Sequence, residues 1–265
     1  MRKIWTMTFL LTATMAASAQ MKQGKIIYER ISKMNIQVSD PAFANMLPPE
    51  RKDKFELHFA DNKTLWRHVE EGQDEEINMD NGSGAQIRLV MPGSNDVTYS
   101  DIQAKRKVEQ RELFAKIFVV EDSIRSFNWK IGQETKTILG YNCRKATSQR
   151  TQQATRMNMD NGVMKRELVT DTLEVTAWFT DGIPAFAGPD NYQGQLPGTI
   201  LELDVNNGRS KYIALSVTPD AEVKSIKEPK GKKITPQEFA AEREKMMQEM
   251  EKNNGGGNFN IRVGG

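Results

Sequence analysis

The side chains best equipped for chemistry in this 265-residue chain are one cysteine, Cys143, and two histidines, His58 and His68. A thiol attacks or binds metal as its thiolate, so a nucleophilic Cys143 needs a base or cation beside it. Burial as an inert small hydrophobe is the competing reading. A single cysteine excludes an intrachain disulfide. His58 and His68 fall on adjacent candidate strands around the turn dipeptide Asp61-Asn62. Facing each other across that hairpin, and joined by Met157, Met159 or the group Met246, Met247 and Met250, they would make a soft copper site. The latter three methionines equally fit the apolar stripe of a packed helix. Asp181 and Glu202 offer carboxylates for hydrolytic acid–base work. Trp66, Trp129 and Trp178 suit either a pocket wall or a core. The sequence has no Walker loop, no dinucleotide glycine fingerprint, no His-Glu-x-x-His and no Gly-x-Ser-x-Gly. No cofactor is expected from these residues.

The elements that must position these groups read mainly as strands. Period-two alternation and turn residues mark strands at 24–31, 54–59, 64–69, 86–91, 116–120, 129–138, 141–148, 173–180, 199–205 and 211–217. A further strand is expected between 107 and 115, and a last one at 222–227. The polar stretch 149–165 reads as a long loop or a hairpin extension. About ten short strands with frequent turns imply a mainly β fold. A curved antiparallel sheet, a half-open barrel and a sandwich all fit, with a C-terminal α-helix added.

That helix is well marked. Thr235 suits the N-cap, Pro236 the first turn, and Glu238 completes a capping box, predicting a helix over 236–252. Phe239, Met246 and Met250 fall near one face. A weaker helix is expected at 41–53. Residues 253–265, rich in glycine, are expected to be disordered.

The first residues carry a different message. Met1-Arg2-Lys3 precedes an uncharged, largely apolar run and then Ala17-Ser18-Ala19, the pattern of a secretory signal cleaved after Ala19. No later segment has the roughly 20 apolar residues of a spanning helix. The chain carries 37 basic and 35 acidic residues, and Arg2 and Lys3 account for the whole excess. A mature chain is then formally neutral, which argues against bulk attraction to nucleic acid. The expected organisation is a signal peptide at 1–19, a β domain at 20–228, and a helix with a glycine-rich tail at 229–265. The expected destination is the periplasm.

The least regular segment lies between the strands at 173–180 and 199–205. Gly182, Gly188, Gly194 and Gly198 alternate there with Pro184, Pro189 and Pro197. Prolines fix φ and glycines permit close backbone approach, so a shaped, restrained loop is expected. It would cap a cavity, offer a docking surface or serve as a crossover.

Several segments resemble one family. Lys136-Thr-Ile-Leu-Gly-Tyr-Asn-Cys-Arg-Lys-Ala146 is followed by Ala177-Trp-Phe-Thr180, Ile183-Pro184, Gly188-Pro189 and Leu196-Pro-Gly-Thr-Ile-Leu-Glu202. Gly24-Lys-Ile-Ile-Tyr28 and Phe127-Asn-Trp129 add to the pattern. In this order they resemble the GLPGLI family of exported Bacteroidetes proteins. The namesake motif departs here: Gln195 stands for its first glycine or is inserted after Gly194, and Thr199 replaces its second leucine. The resemblance implies a family without an agreed activity and a link to TonB-dependent outer-membrane transport. It also implies that Cys143 sits where members often carry cysteine, open to a mixed disulfide with a partner.

The favoured expectation is a non-enzymatic binding or accessory module. Its partner would be an outer-membrane transport component, or a hydrophobic or peptide ligand. The residues expected to make contact or shape the loop are Trp178, Pro184, Tyr192, Leu196, Pro197 and Gly198. A hydrolase using Cys143, Asp181 or Glu202, and copper handling through His58 and His68, are the alternatives.

Overall fold

The computed structural model describes residues 21–33, 49–69, 77–80, 86–89, 95–160, 163–183 and 186–253, with only the backbone described at 77–80, 86–89, 152–168 and 250–253. The expected signal peptide, most of the expected helix at 41–53, Pro184 and the glycine-rich tail after Asn253 lie outside the described residues.

Among the described residues fourteen strands run in chain order: β1 (Gln23–Lys33), β2 (Glu50–Ala60), β3 (Lys63–His68), β4 (Ile77–Asp80), β5 (Gln86–Leu89), β6 (Val97–Asp101), β7 (Arg106–Leu113), β8 (Lys116–Ser123), β9 (Lys130–Ile138), β10 (Tyr141–Asp160), β11 (Val163–Thr180), β12 (Thr199–Val205), β13 (Ser210–Thr218) and β14 (Lys233–Ile234). The helix α1 spans Pro236–Asn253. Twelve strands form one sheet in the order β14-β8-β7-β6-β3-β2-β1-β13-β12-β11-β10-β9, and β4 pairs with β5 alone. Every pairing is antiparallel except β14 on β8.

The sheet is open yet strongly curled. β8 and β9 stand second and twelfth in the order. On a flat sheet ten strand spacings would separate them by about 48 Å. Only residues 124–129 connect them, and seven Cα steps reach about 25 Å at most. The two ends must therefore approach each other. The expected mainly β fold with a C-terminal helix forms as one large open, curled sheet that does not close into a barrel.

Both faces of the curl are packed. On the concave face Ile26, Tyr28, Phe55, Leu57, Phe59 and Trp66 meet Ala146, Val175, Ala177 and Leu203 in one cluster. Leu65 follows the opposite direction from its neighbour Trp66 and joins Tyr99, Val108 and Val119 in a second cluster outside. Ile226 covers that outer cluster. His58 also points outward: its Nδ1 accepts a 3.2 Å bond from the Glu222 amide. Glu222 in turn lies 3.6 Å from Arg67.

The polar run at 149–165 takes the hairpin-extension form. β10 and β11 pair without a break from Arg144↔Phe179 to Asp160↔Val163. Ladder hydrogen bonding, not an apolar stripe, carries this ribbon beyond the sheet. Two expectations fail. Residues 50–53 start β2 instead of ending a helix, because Asp53 is buried between Arg30 at 2.8 Å and Arg51 at 2.5 Å. The strand expected at 222–227 is a single 3-10 turn at Val223–Ser225. β13 already has β1 and β12 on its two sides, so this segment finds no edge there and packs over the outer face. Strands β4, β6 and β14 had no counterpart among the expected strands.

The capping box forms as expected: the Glu238 amide donates to Thr235 Oγ1 at 3.2 Å, and the Thr235 amide to Glu238 Oε2 at 2.7 Å. Phe239 packs edge-on against Phe118 of β8 with centroids 5.5 Å apart. The chain leading to α1 is pinned by charge. Arg106 holds Glu121 and Glu228, and Lys233 bridges Glu228 at 2.9 Å and Glu121 at 3.2 Å.

One bond ties the concave core to the segment after β11. The fully buried Tyr28 hydroxyl donates to the Ile200 carbonyl at 2.6 Å. Tyr28→Phe removes that buried bond and should lower stability by about 1–2 kcal/mol in urea unfolding. An unchanged midpoint would show that the bond contributes nothing.

Candidate functional site

The glycine- and proline-rich segment at 182–198 does not sit on a rim. It runs through the hollow of the curled sheet. Ile183, Ala187, Tyr192 and Leu196 are all part of the concave core. Its backbone is held by its own turns: the Gly194 amide donates to Phe186 O at 2.6 Å, Tyr192 to Pro189 O at 3.0 Å, and Ile200 to Ala187 O at 2.9 Å. Two glycines are required by space. A Cβ on Gly198 would lie 2.2 Å from the Thr180 carbonyl oxygen, and one on Gly188 2.6 Å from that of Tyr192.

The loop reaches both ends of the sheet. Lys107 of β7 donates to Asn191 Oδ1 at 2.7 Å. Gly194 packs against Ile102 and Ile124. The next residue, Gln195, grips the β8–β9 connection with both ends of its amide: Oε1 accepts from the Phe127 amide at 3.0 Å, and Nε2 donates to Arg125 O at 2.7 Å. Glycine could make neither bond. Thr199 donates to Ile183 O at 3.1 Å, a bond a leucine would lack.

Beside this connection, Tyr192 closes a small aromatic cluster. Its ring meets Phe127 at 5.6 Å and Trp129 at 6.4 Å. The Arg150 guanidinium lies 4.5 Å above Phe127 and 5.9 Å from Tyr192. Burial raises the Tyr192 hydroxyl above its ordinary range, against the pull of Arg150. One step beyond the Thr147↔Lys130 pair, Ser148 and Trp129 come side by side. Ser148 Oγ and Trp129 Nε1 are both buried and hydrogen-bond to nothing among the described residues. This cluster of Phe127, Trp129, Tyr192 and Arg150, called the mouth below, is the candidate site: its chemistry pairs aromatic faces with a cation and two unpaired donors.

The expected site residues separate. Tyr192 is in the mouth. Leu196 and Gly198 are buried and shape the loop, while Pro197 is exposed. Trp178 packs against the same core but meets other partners: Lys136 Nζ lies 4.4 Å from its ring centroid and bonds Glu202 at 2.7 Å. Glu202 also pairs with Lys211 at 3.4 Å, while Asp181 is exposed. His58 and His68 do not face each other. His58 is opposite Leu65 and His68 opposite Phe55, three residues apart and so on opposite faces. His68 packs edge-on against Phe55 at 5.2 Å. No group of three His, Cys, Asp or Glu side chains is placed to hold a metal among the described residues. Ser148, Arg150 and Gln195 were missed. Continuing the β10 alternation past Ala146 would have put Ser148 and Arg150 on the inner face.

Residues 129–202 match the model of a family described as "Protein of unknown function (Porph_ging)". The matched segment opens on Trp129 of the mouth and contains Ser148, Arg150, Tyr192 and the whole loop. No curated protein matches the chain. Among solved structures, one titled "Structure of PNGF-II in C2 space group" aligns with a TM-score of 0.50 at 16% identity, over 85% of this chain and 33% of that one. The likeness is one of fold. This chain spans about a third of that protein's length.

Cys143 is fully buried. Burial pushes its thiol up to about 11. A raised thiol pKa means that the fold favours the protonated form. That contribution is intact below the unfolded value and disappears as pH rises through about 11. At pH 8, roughly one thiol in a thousand would be ionised, against about a quarter in an unfolded chain. Ellman's reagent should therefore label native protein at least a hundredfold more slowly than urea-unfolded protein; equal rates would remove the buried-thiol assignment. Gly198→Ala should cost about 3 kcal/mol, because the Thr180 strand must shift to admit the methyl group. An unshifted melting curve would show that the loop yields freely at this point.

Proposed function

We propose that this chain is a non-enzymatic binding or accessory protein of the cell envelope, a member of the GLPGLI family, exported to the periplasm. The mouth closed by Tyr192 would be its ligand site, and a component of TonB-dependent outer-membrane transport a candidate partner. The observation that carries the reading is the loop itself. Its glycines, Leu196 and Gln195 are committed to filling the curled sheet, and they hold Tyr192 against Phe127 and Trp129 at its end. The departures from the family motif support the same view, since Gln195 and Thr199 each make bonds that fix the loop.

The hydrolase alternative has less support. A protonated, buried Cys143 is a poor nucleophile, and Glu202 is occupied by two lysines. Copper handling through His58 and His68 would need both imidazoles on one face.

The test combines location and binding. The chain recovered from the periplasmic fraction should begin at Gln20. A panel of hydrophobic small molecules and short peptides should contain members that raise the melting temperature of the wild type and not that of Tyr192→Ala. A panel without effect, or one that shifts both proteins equally, would overturn the site.

A further inference from the structure

Most arginines held partly out of water in this fold have an acid to answer them. Arg30 and Arg51 share Asp53, Arg67 has Glu56, Arg106 has Glu121 and Glu228, and Arg111 has Asp96 and Glu109. Arg150 is the exception. It is half-buried, it rests on the rings of Phe127 and Tyr192, and no carboxylate pairs with it among the described residues. A guanidinium that is partly desolvated without a counter-charge is costly. The aromatic faces offset part of that cost, and a bidentate acid would offset more.

Arg150 also hydrogen-bonds the Tyr192 hydroxyl, a neutral partner that leaves its charge unanswered. Two groups beside it make no hydrogen bond among the described residues. Ser148, two residues back on the same face of β10, is 6% exposed, and its hydroxyl makes no bond among the described residues. Trp129, next to Ser148 across the pair with the β9 side, has a buried indole N–H in the same condition. Natural folds rarely bury such groups unpaired. The three donors belong to neighbouring positions of one short stretch, and apolar residues lie beside it: Phe127 and Tyr192 under Arg150, and Leu173 and Val175 opposite Arg150 and Ser148.

From this arrangement we infer that the mouth binds a carboxylate carried on an apolar body, the carboxylate lying between Arg150, Ser148 and Trp129 and the apolar part against Phe127 and Tyr192. The inference rests on the mouth being the ligand site and adds the class of ligand. Arg150 supplies the charge and the fork geometry that a point charge lacks. Ser148 and the Trp129 indole would supply single neutral donors. A hydrophobic peptide C-terminus and a fatty acid share this chemistry.

Isothermal titration of the mature, full chain with four probes separates the outcomes: a hydrophobic tripeptide with a free C-terminus, its C-terminal amide, decanoate and decanol. The inference expects at least one acid to bind tenfold or more tightly than its neutral counterpart. Which acid binds distinguishes a peptide end from a lipid. Arg150→Gln should abolish the preference for the acid, and Arg150→Lys should restore part of it. Ser148→Ala guards against a merely structural effect. Removing a buried unpaired hydroxyl should leave the melting temperature unchanged or higher, while acid binding weakens about fivefold and neutral binding stays the same. Equal binding of acids and neutral probes would overturn the inference and leave the binding site standing. Binding of none would overturn it too, and the Tyr192→Ala comparison then judges the site itself. Undiminished acid binding by both Arg150→Gln and Ser148→Ala would place the ligand elsewhere.

Discussion

A sheet that curls but does not close leaves a hollow lined with apolar side chains, and water in that hollow would cost the fold much of its driving force. The segment at 182–198 fills it. Ile183, Ala187, Tyr192 and Leu196 complete a cluster begun by β1, β2 and β3, and the Tyr28 hydroxyl anchors the segment's exit at Ile200. The remaining features follow from this filling. The glycines at 188 and 198 are there because the loop passes within contact distance of carbonyl oxygens. The polar loop residues Asn191 and Gln195 are there because the loop meets backbone and charge at the far side of the trough.

The outer face shows how the same chain deals with the opposite problem. A smaller apolar cluster lies behind β3, β6, β7 and β8, and the chain after β13 folds back over it. His58 accepts the Glu222 amide, and the Arg106–Glu121–Glu228–Lys233 network holds the approach to β14. Beyond β8 the sheet then ends in a two-residue strand and a helix, which leaves little open edge. The other edge, β9, is rich in charge at Lys130, Glu134 and Lys136, another device against stray pairing.

Much of the architecture was legible. Period-two alternation located most strands, and the capping residues placed α1 almost to the residue. The long ribbon of β10 and β11 was half legible, since its polar sequence shows no apolar period. The 3-10 turn at Val223–Ser225 was not legible at all. Its alternation resembles a strand, and only the occupancy of both sides of β13 denies it one. The site was legible in its loop and in Tyr192. It was illegible in Arg150 and Ser148, because a single arginine or serine in a polar run looks like any solvated side chain.

The sequence by itself determined the fold class, the helix, the special character of the segment at 182–198 and the neutrality of a chain without its first nineteen residues. These are local properties: residue period, turn chemistry, cap chemistry and a charge count. Only the tertiary structure decided that the loop is interior, that His58 and His68 point apart, that Cys143 is sealed in the core, and that Arg150 faces two aromatic rings with no acid paired to it among the described residues. Each of these depends on which strands lie side by side once the sheet has curled. That registry is set by packing between residues far apart in the chain, and no local pattern records it.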